Sequence, residues 1–458
     1  MSERGHTQHA GMPPELARPR RKGHIGLIVA TSMFGGLILA LLLTVLAFGG
    51  ATEPVISGVA LLAFALGWTL LAWLSERRTD QPQRWTYVPA IFMGVLGLAH
   101  LVFQPSDGVL RAFGWVWPIA AAALAIWMII QSRRSLHNWS RPVILYPFLA
   151  VLLLAAIGGG YETIREAMDK SAYTMSGELI DVGGYKLHIS CTGSGSPTVI
   201  LEGGLGEPAA MMSGWIQPGV ARATRVCVYD RAGKGWSEPA GSPRDGVAIA
   251  ADLHTLLNRA EIDGPYVLAG HSSGGVYVQV FASQYRDEVA GLVLLDSQPP
   301  DAIAHLPGYA GEYDGLRRFT ALFPSVARLG VMRLSYASAA TGLPPEARAE
   351  ERAFWSTASH NRSLRDEVAG LKAALTQAQA LTSLGDKPLI VVTAAEDAHA
   401  GWLPLQEKMA GLSTNSVQRV IEDASHTSLI EDEGDSANAI NAILDVVEAV
   451  RSGAILRP

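Results

Sequence analysis

Ser272 lies between two glycines in Gly270-His271-Ser272-Ser273-Gly274, directly after the apolar run Tyr266-Val267-Leu268-Ala269. A serine in that setting is presented on a tight strand-to-helix turn, where bulkier flanking residues would collide and the hydroxyl is pushed outward. Glycine is abundant in this chain, 47 residues in all, so the surroundings of the motif decide its meaning. The preceding run reads as a buried strand, and 275–285, with Val276, Val280 and Phe281 on one face, reads as the following helix. A serine hydroxyl is a poor nucleophile at neutral pH and needs a base within hydrogen-bond reach, itself oriented by a third group. His426 is the expected base and Asp397, just after Leu389-Ile390-Val391-Val392, the expected orienting acid. Open α/β sheets place their sites at such carboxyl ends of strands. Asp296, closing the preceding strand, and Glu396 are the competing carboxylates. His254, His271, His305, His360 and His399 are read as structural or surface residues, His271 as a packing residue of the elbow.

Strands are expected at 178–182 and 185–191, joined at Gly183-Gly184 as a hairpin, and at 198–201, 225–229, 266–269, 291–295, 388–393 and 417–421. Helical stretches at 247–260, 275–285 and 437–450 separate several of them. Short, nearly continuous apolar strands alternating with helices imply a mostly parallel sheet covered on both faces. Between 298 and 386 the pattern is interrupted by helical sequence at 346–356 and 364–384, rich in aromatic residues such as Tyr309, Tyr313, Phe319, Phe323, Phe354 and Trp355.

From about 178 to 450 the chain resembles an α/β-hydrolase. The matching motifs run in order: Gly203-Gly204-Leu205-Gly206, Asp230-Arg231-Ala232-Gly233 through Gly235-Trp236-Ser237, the serine elbow, Leu294-Leu295-Asp296, Glu396-Asp397 and Ser425-His426. The resemblance implies a helical cap at 298–386 and the triad order serine, acid, histidine, which Ser272, Asp397 and His426 supply. It also implies an oxyanion hole from the amide of Ser273 and a second amide after the 198–201 strand. There the family often has His-Gly and this chain has Glu202-Gly203-Gly204, which leaves Gly204 and Leu205 both open as donor. Asp230 and Arg231 are expected to pin a loop beside the site rather than to clamp a substrate. The reaction implied is hydrolysis of an ester, small or lipid-like, through an acyl-enzyme, with no cofactor and no metal. A peptidase or amidase of the same fold, and a non-catalytic sensor that keeps the fold to bind a ligand, are the other readings.

The first 160 residues lie outside the resemblance. Five apolar stretches, 25–48, 55–74, 87–103, 113–130 and 143–160, are each near the ~20 residues that cross a hydrocarbon core. Trp73, Trp85, Trp115, Trp117 and Trp139 fall at their ends, where amphipathic rings favour the headgroup level. Arg18, Arg20, Arg21 and Lys22 precede the first stretch, Arg77, Arg78 and Arg84 follow the second, and Arg133, Arg134 and Arg141 follow the fourth. The positive-inside rule therefore puts the amino terminus in the cytoplasm and, after five spans, the hydrolase domain in the periplasm or outside the cell. His100 is the one ionisable side chain within these stretches and is read as a packing residue, so transport is not indicated. A net charge of −6 offers no basic surface for nucleic acid.

The expected organisation is a basic tail (1–24), a transmembrane region (25–160), a linker (161–177) and a hydrolase domain (178–458), with membrane lipids as partners of the chain. Cys191 and Cys227, the two cysteines, fall in the hydrolase domain as either a bridge or two buried thiols.

Overall fold

The structure, a computed structural model, describes residues 24–136, 142–241, 244–337 and 341–457. Its carboxyl-terminal part is built on an eight-stranded sheet: β1 (Glu178–Asp181), β2 (Lys186–Thr192), β3 (Val199–Glu202), β4 (Val226–Tyr229), β5 (Tyr266–His271), β6 (Val289–Leu295), β7 (Leu389–Ala394) and β8 (Ser416–Ile421). The spatial order is β1-β2-β4-β3-β5-β6-β7-β8. β2 pairs antiparallel with both β1 and β4, and every other neighbouring pair is parallel. Side chains alternate between two cores. Ile200, Leu268 and Val391 face the helices Gly246–Arg259, Ser273–Gln284 and Ala358–Ala378, whereas Leu201, Ala269 and Val392 face Ala209–Gly214, Ile216–Ala221 and Glu433–Ser452. Burial on both faces is why these strands read as unbroken apolar runs.

Gly183 and Gly184 both have positive φ, and Asp181 accepts from both amides, which closes the β1–β2 hairpin. Cys191 and Cys227 sit opposite one another in the β2–β4 register and are joined in a disulfide.

Ahead of the sheet lies a bundle with four helices long and apolar enough to cross a membrane: Ile25–Ala47, Glu53–Arg78, Arg84–Phe103 and Tyr146–Ala172. A bent pair, Asp107–Phe113 and Trp117–Ser135, makes a fifth if counted as one span. The last helix runs past the end of the apolar stretch at 160. It continues to Ala172, so most of the expected linker is helix. The run Glu162 to Ala172 is rich in helix formers, and Arg333 of the cap holds Glu162 (2.7 Å) and Asp169 (2.8 Å) on one side of it. Trp85, half-buried at the start of its span, packs between Trp68 and Trp127. His100 bonds through Nδ1 to the Leu96 carbonyl of its own helix (2.9 Å). The basic tail, Trp139 and Arg141 lie outside the described residues.

Helices from Ala302 to Ala378 interrupt the sheet between β6 and β7 and form a cap. Its long helix, Ala358–Ala378, begins and ends six residues before the stretch expected from the sequence, with Thr357 capping it by accepting from the His360 amide.

Candidate active site

β5 runs into the helix Ser273–Gln284 through Ser272, whose φ of 55° and ψ of −125° lie outside the regions a serine ordinarily adopts. Flanking packing holds this turn. A Cβ on Gly270 would come within 2.6 Å of the Gly274 backbone, and one on Gly274 would strike the Glu202 carbonyl. The Ser272 amide donates to Leu295 O (3.1 Å), and its carbonyl accepts from Gly275 and Gln298 (3.2 and 3.0 Å). The Ser273 amide begins the helix and bonds to nothing among the described residues, a free donor at a helix N-terminus beside the hydroxyl. Because β3 is flanked by β4 on one side and β5 on the other, this turn sits where the sheet order reverses.

The loop after β3 passes close to the serine: a Cβ on Gly204 would lie 2.7 Å from Ser272 Cβ, so only glycine fits. The Gly204 amide is already engaged, donating to Glu207 Oε2 (2.5 Å), and its carbonyl accepts from Arg231 Nη2 (2.6 Å). The Leu205 amide bonds to nothing among the described residues. Of the two donors left open by the sequence, Leu205 is thus the available one.

The acid differs from expectation. His426, on the loop after β8, bonds through Nδ1 to Asp296 Oδ2 at 2.6 Å, and Asp296 stands at the end of β6 rather than β7. Asp397 instead accepts the backbone amide of His426 (3.0 Å) and so holds the loop, not the ring. A positive φ of 40° turns Asp296 under the histidine loop. Its second oxygen accepts from Trp402 Nε1 (2.8 Å) and the Ala394 amide (3.3 Å), so the carboxylate is buried with both oxygens occupied. Those partners fix its orientation and leave one oxygen for the imidazole.

His271 is more than a packing residue. Fully buried beneath Ser272, it bonds through Nδ1 to Glu207 Oε1 (2.8 Å) and through Nε2 to the His426 carbonyl (2.9 Å), with its ring 4.6 Å from that of His426. A carboxylate and a carbonyl both only accept, so these two partners favour a ring with both nitrogens protonated. Burial opposes that charge, but the Glu207 carboxylate outweighs it and raises the His271 pKa. Glu207 is correspondingly held below the usual carboxylate range: burial raises it, and His271 with the Gly204 amide more than reverse this. The pair ties the oxyanion loop to the histidine loop. The GGxGE run carries the acidic residue, but 64 positions separate it from His271, and nothing in the sequence joins them.

Asp230 and Arg231 point inward. Asp230 holds His188 (2.8 Å) and the amides of Ala209 and Trp236 (2.7 and 3.2 Å). Arg231 pairs with Glu202 and Glu367 and donates to the carbonyls of Gly203 and Gly204 (both 2.6 Å). Lys234, fully buried, also pairs with Glu367 (2.6 Å). Arg231 and Lys234, through Glu367 and the Gly203 and Gly204 carbonyls, pin the oxyanion loop to the cap helix Ala358–Ala378. Among the described residues no group of three or more His, Cys, Asp or Glu side chains is placed to hold a metal ion.

A family model described as alpha/beta hydrolase fold matches residues 197–433, just over half of the chain. An uncharacterised protein of Schizosaccharomyces pombe is 29% identical over 307 residues, covering 59% of this chain and 56% of its own. An uncharacterised vacuolar membrane protein of Saccharomyces cerevisiae is 28% identical over 130 residues, 25% of this chain and 20% of its own. The chain spans about half or less of the length of these relatives. Among solved structures, the Cif epoxide hydrolase from Acinetobacter nosocomialis superposes with a TM-score of 0.52 at 16% identity, covering 62% of this chain and 96% of that one, a likeness of fold. Strand order, elbow and family match agree, and the chain belongs to the alpha/beta hydrolase fold family.

Proposed function

We propose that this protein is a membrane-anchored serine hydrolase that cleaves an ester through an acyl-enzyme. Ser272 attacks the carbonyl carbon while His426 Nε2 takes its proton, and the amides of Ser273 and Leu205 receive the developing oxyanion. Collapse of the tetrahedral intermediate breaks the bond to the alcohol, which leaves with the proton held by His426. Water, deprotonated by the same imidazole, then releases the acid and frees Ser272. Asp296 keeps Nδ1 protonated and stabilises the imidazolium, and Asp397 holds the loop.

The observation that carries this reading is the His426 Nδ1 to Asp296 bond at the rim where Ser272 is presented. A serine at the elbow also speaks against epoxide hydrolysis, for which the family uses an aspartate there. The hydrolase domain is assigned to the far side of the membrane from the basic connections. Supporting this, Arg77, Arg78, Arg84, Arg133 and Arg134 lie at the helix ends away from the cap, and a disulfide suits an oxidising compartment.

The test uses the full chain purified in nanodiscs with p-nitrophenyl esters of graded chain length and the matching anilides. Ester turnover that disappears in Ser272→Ala supports the assignment. Anilide turnover exceeding ester turnover makes the protein an amidase, and turnover unchanged in Ser272→Ala removes the mechanism.

A further inference from the structure

The cap is clasped by the bundle, and the clasp fixes its height. Arg328 pairs with Glu53 and with Asp107 (2.8 Å), Arg362 pairs with Glu53 (2.5 Å), and Arg333 pairs with Glu162 (2.7 Å) and Asp169 (2.8 Å). Glu53, Asp107 and Glu162 are all buried. Carboxylates buried this deeply would be costly if unpaired, so the cap arginines complete the bundle rather than merely touch it. Backbone contact is equally close: a Cβ on Gly330 would lie 2.7 Å from the Gly158 carbonyl.

The outer face of Tyr146–Ala172 gives a ruler for that height. Val151, Leu154, Ile157, Tyr161, Ile164 and Met168, spaced by three or four, form one exposed stripe about 26 Å long at 1.5 Å per residue. That length approaches the ~30 Å of a hydrocarbon core. The cap helix Val331–Ala337 lies beside its upper half, since Gly330 meets Gly158 while Arg333 spans Glu162 and Asp169. Val331 and Leu334, one turn apart, are nonetheless exposed, Leu334 to 71%. They therefore stand level with Tyr161 and Ile164, at the edge of the apolar band, where Glu162, Arg165 and Glu166 share the helix. A second point agrees: Arg318 donates to Leu46 O (3.2 Å) in the last turn of the first span, and the neighbouring Phe319 is 62% exposed.

The same short helix leads to the catalytic centre. Tyr336 lies 5.0 Å from the Trp355 ring, and a Cβ on Gly206 would be 2.8 Å from Trp355, one residue beyond the Leu205 amide. A line of aromatic surface thus joins the lipid level to the oxyanion loop.

We propose that the cap is bedded in the bilayer through Val331, Leu334 and Phe319, and that the substrate is an ester lipid drawn from the membrane rather than from water. The substrate half of this inference rests on the ester-hydrolase reading above; the placement of the cap does not.

Two measurements on the full chain in phosphatidylcholine nanodiscs test it. The first places an NBD fluorophore at Leu334→Cys, with Leu154→Cys as the lipid-facing reference and Val247→Cys, on the hydrolase domain, as the aqueous one. Quenching of the Leu334 label by brominated lipid to within two-fold of Leu154 is expected, and quenching no greater than at Val247 overturns the placement. The second compares a long-chain diacylglycerol carried in the nanodisc with soluble p-nitrophenyl acetate. The double variant Val331→Asp/Leu334→Asp is expected to lose at least ten-fold on the diacylglycerol and stay within two-fold on the acetate. Equal effects on both substrates, or a wild type that cleaves only the acetate, overturn the substrate class. A protein that cleaves neither and takes up no fluorophosphonate fails instead at the hydrolase reading, and the quenching pattern still reports where the cap lies.

Discussion

Replacing Asp296 by asparagine separates the two candidate acids. Asp296 gives one oxygen to His426 Nδ1 and the other to Trp402 Nε1 and the Ala394 amide. An asparagine side chain has one acceptor and one donor end, and each orientation fails. With the NH2 toward the imidazole, Nδ1 must accept, the proton moves to Nε2, and His426 can no longer take the serine proton. With the NH2 toward Trp402 and Ala394, it faces two donors in a buried pocket. Loss of the orienting carboxylate in such triads costs on the order of 10⁴ in kcat, about 5 kcal/mol of barrier. Asp397→Asn still accepts the His426 amide through its carbonyl oxygen and gives up only the charge, so the expected loss is about five-fold or less. The assay is kcat and KM for a soluble p-nitrophenyl ester, with thermal unfolding to show that both variants fold. A folded Asp397→Asn down by 10³ or more, beside an Asp296→Asn within ten-fold of wild type, would refute the assignment.

Gly204→Ala forces a Cβ against Ser272 Cβ (2.7 Å) and Glu207 Oε1 (2.6 Å), and is expected to lower kcat on the order of 100-fold and stability by about 1 to 3 kcal/mol, measured by the same ester assay and thermal unfolding. Arg231→Met removes the cation paired with buried Glu202, leaves Glu367 to Lys234 alone and takes the donors from the Gly203 and Gly204 carbonyls, and should cost about 3 to 5 kcal/mol, read from denaturant unfolding. Removing the Cys191–Cys227 bridge by a double serine variant opens a loop of sequence separation 36 and should cost about 3 to 4 kcal/mol in the same measurement. Burial, with Glu431 nearby, pushes the Glu351 carboxyl from 4.5 up to about 7, so the folded protein holds this proton more tightly than the unfolded chain. The associated stability is complete below about pH 4.5 and is lost as the pH rises through about 7. Melting temperatures across that window should fall more steeply for wild type than for Glu351→Gln, and parallel curves would exclude Glu351 as the titrating group.

The elbow, the strand ends and the apolar spans were legible because each is a local pattern: two glycines around Ser272, apolar runs of four to seven residues, and stretches of about twenty. The identity of the acid was not. Asp296 and Asp397 each follow a parallel strand, and what separates them is the positive φ at Asp296 and the Trp402 indole behind it, neither visible in the order of residues. The Glu207–His271 pair was hidden for a similar reason, since a buried histidine in an apolar elbow looks like packing until its two acceptors are placed. The helix past Gly160 was missed because the span was bounded by hydropathy, while Glu162 and Asp169 find their partner in the cap, more than 160 residues away. The bundle's role as the seat of the cap could not be read from spans that looked self-contained.

The most direct test of the account is to treat the membrane-embedded protein with a fluorophosphonate and map the adduct by mass spectrometry. A single phosphonylated residue, Ser272, is expected, formed in the wild type and lost in His426→Ala. An intact active protein that carries the adduct elsewhere, or none at all, contradicts it.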